Sequence, residues 1–215
     1  MKTKTTNYHF NSGIKLESGE SLSAFDLVVE TYGKLNADKS NAVLVCHAFS
    51  GSHNAAGESN NDGKLGWWDE IVGPGKAIDT NKFFVVSPNN LGSCFGSTGP
   101  TSICPQTKEI YGKDFPDISV LDWVNSQEML LNKLGISSWA CVLGGSLGGM
   151  QALQWAITYP DKIKRAGIIA AAAKASSQNI ALNAVGRESI RKDMNFYEGD
   201  YLKKDSFPKS GLKAA

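Results

Sequence analysis

Gly144-Gly145-Ser146-Leu147-Gly148 sets one serine among three glycines and a leucine in the pattern G-x-S-x-G. A serine hydroxyl becomes a useful nucleophile where the backbone exposes it and nearby N–H groups can receive the charge that develops as it attacks a carbonyl. The flanks suit that task. Residues 139–143 read as a short buried strand, and residues 150–159 as a helix with Met150, Leu153 and Ile157 on one face. Strand, tight glycine turn and helix are the setting of a nucleophile elbow, with the serine at the helix N-terminus, where free N–H groups and the helix dipole favour negative charge. The plainer alternative is a glycine-rich turn with a capping serine. The flanking elements favour the elbow.

A serine used in this way needs a base and an acid. After an elbow of this kind they follow in the order Ser, Asp or Glu, His. Acids do follow, at Asp161, Glu188, Asp193, Glu198, Asp200 and Asp205, but His9, His47 and His53 all precede Ser146. His47 comes directly after a buried strand, so it is expected to shape its loop by hydrogen bonding rather than to act as the base. His47 and His53 have no ligand spacing and no acidic cluster beside them, so no metal site is expected. Gly73-Pro74-Gly75-Lys76 fails as a phosphate loop, with Glu70 in place of the first glycine and Ala77 in place of Ser or Thr. Gly92, Gly96 and Gly99 do not follow the dinucleotide spacing.

The elements that must position this chemistry alternate along the chain. Strands are expected at 14–16, 25–32, 42–46, 82–87 and 139–143, and within 164–173. The run Ala42-Val43-Leu44-Val45-Cys46 is apolar throughout, as in a strand covered on both faces. Helices are expected at 119–134, with Leu121, Val124, Met129, Leu130 and Leu134 on one side, at 150–159, and briefly at 67–72. Long Gly/Asn/Ser-rich loops fill 47–66 and 89–105. The alternation implies an α/β chain with a mainly parallel sheet. From residue 176 the character changes to polar helical segments, which gives two regions, 1–175 and 176–215. The last residues look like the first turn of a helix capped by Ser210.

Composition narrows the partners. With 22 Lys+Arg against 21 Asp+Glu, the formal charge of +1 offers no footprint for nucleic acid or a membrane surface. No apolar run is long enough to span a bilayer, and no secretory signal is visible, so a cytoplasmic location and free thiols at Cys46, Cys94, Cys104 and Cys141 are expected.

Several stretches together resemble one family. They are 41–51 (Asn-Ala-Val-Leu-Val-Cys-His-Ala-Phe-Ser-Gly) with Ala55-Ala56-Gly57, then Gly66-Trp67-Trp68-Asp69 and Gly73-Pro74-Gly75-Lys76-Ala77-Ile78-Asp79-Thr80. Asn90-Leu91-Gly92-Ser93-Cys94-Phe95-Gly96-Ser97-Thr98-Gly99-Pro100, the elbow followed by Gly149-Met150-Gln151, and Gly199-Asp200-Tyr201 complete the set. These residues are similar to those of the homoserine O-acyltransferases. The resemblance implies an α/β-hydrolase core, incomplete in these 215 residues, with the start of a helical lid from residue 176 that would cover the pocket. It implies Ser146 as the nucleophile and the backbone N–H groups of Leu147 and Phe49 as oxyanion donors. Leu147 follows the nucleophile, and Phe49 lies on the loop after the third strand of such a core.

The resemblance also implies transfer of an acyl group, acetyl ahead of succinyl, from acyl-coenzyme A to homoserine in methionine biosynthesis. Acyl-CoA would be a co-substrate, and no cofactor would be permanently bound. Homoserine and acyl-CoA would be the small-molecule partners, and a homodimer is implied for a complete chain. The family's triad acid and histidine would lie beyond Ala215, as would the arginine that holds homoserine's carboxylate, so the 215 residues alone are expected to be inactive. The alternatives are an esterase of the same fold and a non-catalytic fragment.

Overall fold

The computed structural model describes residues 3–58 and 63–215; residues 59–62 of the first long loop lie outside the described residues. In chain order the strands are β1 (Thr3–Phe10), β2 (Ile14–Lys15), β3 (Ser21–Leu22), β4 (Phe25–Tyr32), β5 (Ala42–Cys46), β6 (Val72–Gly73), β7 (Ile78–Asp79), β8 (Phe84–Pro88), β9 (Cys141–Gly145) and β10 (Ala166–Ile169). The helices are α1 (Val120–Lys133), α2 (Leu147–Thr158), α3 (Ser177–Arg191) and α4 (Lys209–Ala214). Six strands form the main sheet in the order β1-β4-β8-β5-β9-β10. β8, β5, β9 and β10 run parallel to one another, while β1 and β4 add an antiparallel flank.

The sequence explains the centre of this sheet. All five residues of β5 are buried, as its unbroken apolar run requires. The alternation of side chains along a strand turns Val43 and Val45 to one face, where they pack with Tyr32, Val72, Val85 and Ala140, and with Trp67 and Trp68 at the margin. At that margin the Trp67 and Trp68 rings lie 5.0 Å apart, centre to centre. Trp139, two residues before β9, and Trp155 of α2 are fully buried and meet edge to face at 6.5 Å. An edge-to-face contact lets the positive rim of one ring meet the negative face of the other.

α1 begins at a complete capping box. Ser119 Oγ accepts from the Asp122 N–H at 3.2 Å, and Asp122 Oδ2 accepts from the Ser119 N–H at 2.9 Å. The Asp122 carboxylate is buried and also accepts the Glu17 N–H at 2.9 Å, so the box ties the helix start to the N-terminal hairpin region.

The molecule divides into two compact units. One holds residues up to Thr98 together with Pro116–Ala171; the other holds Gly99–Phe115 with Ala172–Ala215. Within the second, α3 starts at the side-chain cap of Ser176, which accepts the Asn179 N–H at 3.2 Å. A short helical turn, Tyr197–Leu202, is broken by positive φ at Glu198 and Gly199, and Asp200 there pairs with Lys113 at 2.8 Å.

Several sequence expectations are corrected. β1 was not foreseen, because its side chains are largely polar and its stability comes from full pairing with β4. The helix expected at 67–72 is a turn, since Val72 and Gly73 leave it to pair with β7. The inner face of α2 is Gly148, Gly149, Gln151, Ala152 and Trp155, while Ile157 points out at 65 % exposure. Small residues win that face because the helix lies almost against the sheet backbone. α4 is preceded by Pro208 and not capped by Ser210, which sits inside the helix.

Ser119→Ala removes one half of the capping box and should lower unfolding free energy by about 1 kcal/mol, within the range of roughly 0.5–2 kcal/mol for such caps. Ser119→Thr keeps a hydroxyl acceptor and should retain most of it, as read from denaturant unfolding.

Candidate active site

β5 and β9 are parallel neighbours, with Cys46 opposite Gly144. The loop from His47 and the turn through Gly145 and Ser146 therefore leave the sheet side by side at the same end. The carboxyl ends of parallel strands are where α/β sheets form their ligand crevices.

The turn is an elbow in the geometric sense. Ser146 has φ 53° and ψ −120°, a conformation that a side-chain-bearing residue rarely adopts. It is pinned on both sides: its N–H donates to the Ile169 carbonyl at 3.0 Å, and its carbonyl accepts the Met150 N–H at 3.1 Å. Strain of about 1–3 kcal/mol per such residue persists only where surrounding contacts hold it. The Ser146 side chain is exposed, caps nothing, and forms no hydrogen bond with the described residues. The capping alternative raised from the sequence is thus set aside. Leu147, the first residue of α2, carries an N–H with no acceptor in its own helix.

The glycines make the bend possible by what they omit. A Cβ on Gly148 would stand 2.1 Å from the Cys46 carbonyl oxygen; one on Gly144 would stand 2.6 Å from the same oxygen and 2.5 Å from the Gly148 backbone. The first turn of α2 is consequently pressed against the root of the loop that carries Phe49.

That loop is fixed through His47, which is 2 % exposed. His47 Nε2 accepts the Asn90 N–H at 3.0 Å, so the ring proton sits on Nδ1, which donates to the Ala48 carbonyl at 2.7 Å. Both ring nitrogens are occupied, in keeping with the loop-shaping role expected of it. Burial pushes its pKa below the ordinary histidine value, which keeps the ring neutral. The chain then turns, with the Gly51 N–H donating to the Ala48 carbonyl at 3.0 Å. Phe49 lies inside this turn, its side chain 90 % exposed and its N–H unpaired among the described residues. Ser146, Leu147 and Phe49 are thus gathered at one end of adjacent strands. His9 is elsewhere, on β1, bonded to Asp26 at 2.8 Å. Among the described residues no group of three or more His, Cys, Asp or Glu side chains could hold a metal ion, and no helix is long and apolar enough to cross a membrane.

Gln127 and Gln151, both buried, received no role from the sequence, although Gln151 stands among the residues that carry the family resemblance. The available signal was a glutamine at 151 on the same helix face as Gly148 and Trp155, a polar residue where α2 meets the core.

Residues 41–208 match the family model described as the alpha/beta hydrolase fold. The chain belongs to that family. The alpha/beta hydrolase chain is also 58 % identical over 207 residues to a homoserine O-succinyltransferase of Hahella chejuensis, covering 96 % of this chain and 54 % of that protein. A homoserine O-succinyltransferase of Pseudomonas paraeruginosa is 57 % identical over 96 % of this chain and 55 % of its own length. The resemblance to homoserine O-acyltransferases seen in the sequence is therefore borne out. The chain spans about half the length of the curated relatives it matches. Among solved structures, homoserine O-acetyltransferase from Bacillus anthracis superposes with a TM-score of 0.92 at 35 % identity, over 99 % of this chain and 58 % of that one. Esterase E22 does so at 0.90 and 37 %, over 99 % and 59 %.

Gly148→Ala should destabilise the fold by at least the roughly 1–3 kcal/mol typical of overpacking, because the clash is with backbone. Gly145→Ala meets nothing within 4 Å and has no positive φ, so its melting temperature should stay near that of the parent. Equal melting temperatures for the two variants would show that the close approach at Gly148 is not tight.

Proposed function

We propose that the protein carrying this chain transfers an acyl group from acyl-coenzyme A to the hydroxyl of homoserine, through an acyl-enzyme on Ser146. The observation that carries this reading is the strained, unbonded Ser146 at the start of α2 beside a loop with a free N–H. The relatives supply the acceptor. In the first step Ser146 Oγ attacks the thioester carbonyl and its proton passes to a base. The Leu147 and Phe49 N–H groups receive the oxyanion, and the coenzyme A thiol leaves. In the second the base takes the proton of the homoserine hydroxyl as its oxygen attacks the acyl-enzyme. A second oxyanion forms at the same N–H groups, and its collapse releases the ester while the base returns the proton to Ser146 Oγ. The base is not His47, whose ring nitrogens are both engaged. On this reading the base and its acid come from parts of the protein outside these 215 residues.

For the donor, the sequence expectation placed acetyl ahead of succinyl. Relatives at 57–58 % identity are named succinyltransferases, while the acetyltransferase of known structure is 35 % identical. Succinyl is accordingly the donor we propose. A second reading, an esterase, is favoured by the likeness to esterase E22.

Thiol release from succinyl-CoA and acetyl-CoA by the full-length protein, with and without homoserine, tests these together. Expected is release that requires homoserine, with kcat/KM at least tenfold higher for succinyl-CoA, about 1.4 kcal/mol in transition-state terms. Release at the same rate without homoserine would favour the esterase. A preference for acetyl-CoA would restore the sequence expectation.

A further inference from the structure

Beneath the loop that carries Phe49 lies a line of buried side chains that the acyl-transfer chemistry does not itself use. Trp155 Nε1 donates to Gln127 Oε1 at 2.7 Å, Gln127 Nε2 to Gln151 Oε1 at 2.7 Å, and Gln151 Nε2 to the His47 carbonyl at 3.2 Å. Trp155, Gln127, Gln151 and His47 are all at most 2 % exposed. The line joins two helices that pack together, since Gln127 belongs to α1 and Gln151 and Trp155 to α2. It ends on the first residue after β5.

The direction of the line is fixed by its two ends. An indole N–H can only donate, and a backbone carbonyl can only accept. With a donor at one end and an acceptor at the other, each amide between them has one orientation that satisfies every bond. Gln127 must turn its oxygen to Trp155, and Gln151 must turn its oxygen to Gln127 and its NH₂ to His47. Cys46 adds a weak thiol contact to the same Gln127 oxygen at 3.9 Å, consistent with that oxygen being the acceptor. A buried amide in the reverse orientation would leave polar groups unpaired, a cost that keeps such a network in a single state.

The His47 backbone and ring are thereby held at three points: its carbonyl by Gln151, Nε2 by the Asn90 N–H, and Nδ1 by the Ala48 carbonyl. Phe49 is two residues further on. Gln151 itself stands one helical turn after Leu147, on the helix that begins at Ser146. The same side chain therefore spans from the helix bearing the nucleophile and one oxyanion donor to the loop bearing the other.

We propose that Gln151, oriented by Gln127 and Trp155, is a positioning residue that sets the Phe49 N–H relative to Ser146 and Leu147. This rests on the acyl-enzyme reading of Ser146, but not on the identity of the acyl donor or acceptor. Loss of an oxyanion donor costs about 10²–10³ in rate, and a misplacement of about 1 Å near 10². A loosened loop should cost tenfold to a hundredfold, in kcat and not in KM.

The test uses the full-length protein with saturating homoserine as acceptor and p-nitrophenyl acetate as donor, an activated ester that requires the nucleophile and its oxyanion donors but not coenzyme A. The variants are Gln151→Met, which keeps the length but cannot donate, and Gln151→Glu. A protonated carboxyl can accept from Gln127 and donate to the His47 carbonyl; a carboxylate cannot donate. For Gln151→Met we expect kcat to fall tenfold to a hundredfold at unchanged KM and at every pH. For Gln151→Glu the ratio of variant to wild-type kcat should be highest at acid pH and fall as the carboxyl ionises. A ratio that is flat with pH, or a Gln151→Met enzyme with wild-type kcat once folded protein is counted by active-site titration, would overturn the proposal. If the wild type cleaves the ester but transfers nothing to homoserine, the transferase reading fails while the variants still decide the positioning role. A wild type that forms no acyl-enzyme would overturn both.

Discussion

Between Gly148 and the carbonyl oxygen of Cys46 there is no room for a methyl group. That close approach places the start of α2 directly against the end of β5, and the rest of the site follows from it. With the helix this low, the chain leaving β9 must reverse within one residue, and Ser146 takes the positive φ that the reversal demands. The strain is sustained by backbone bonds to Ile169 and Met150 on either side, so the sheet and the helix jointly hold the serine outward. The same approach sets the Leu147 N–H beside the loop after β5.

Much of this was legible in the sequence because it depends on residue types with few substitutes. Glycines at 144 and 148 around a serine, between an apolar strand and a helix, admit few backbone paths. The apolar run of β5 and the helical stretch at 119–134 are equally direct signals, and both elements formed where expected within a residue or two. What escaped was governed by tertiary partners. β1 is polar in sequence and becomes a strand by pairing along all of β4. The inner face of α2 was misjudged because hydrophobic bulk is a poor guide where a helix packs through glycine and alanine, which turned Ile157 to solvent and Gln151 inward. Gln127 and Gln151 share one line of hydrogen bonds although they are 24 residues apart. Nothing local announces such a pairing.

His47 shows how burial divides labour among histidines. It is the histidine nearest in sequence to Phe49, and chemistry alone would nominate it as a base. Its neutral ring is instead committed to a donor on one side and an acceptor on the other. A general base must exchange a proton during each turnover, which a ring so engaged cannot do without releasing the loop. The histidine's value to the proposed reaction is therefore structural: it anchors the segment from which the Phe49 N–H is presented.

The central claim is that Ser146 carries the acyl group. Full-length protein quenched during turnover of succinyl-CoA, digested and analysed by mass spectrometry, tests it most directly. The account predicts a succinyl adduct on the peptide containing Ser146, absent from Ser146→Ala protein. An adduct that persists in Ser146→Ala, or that maps to another residue in the wild type, would contradict it.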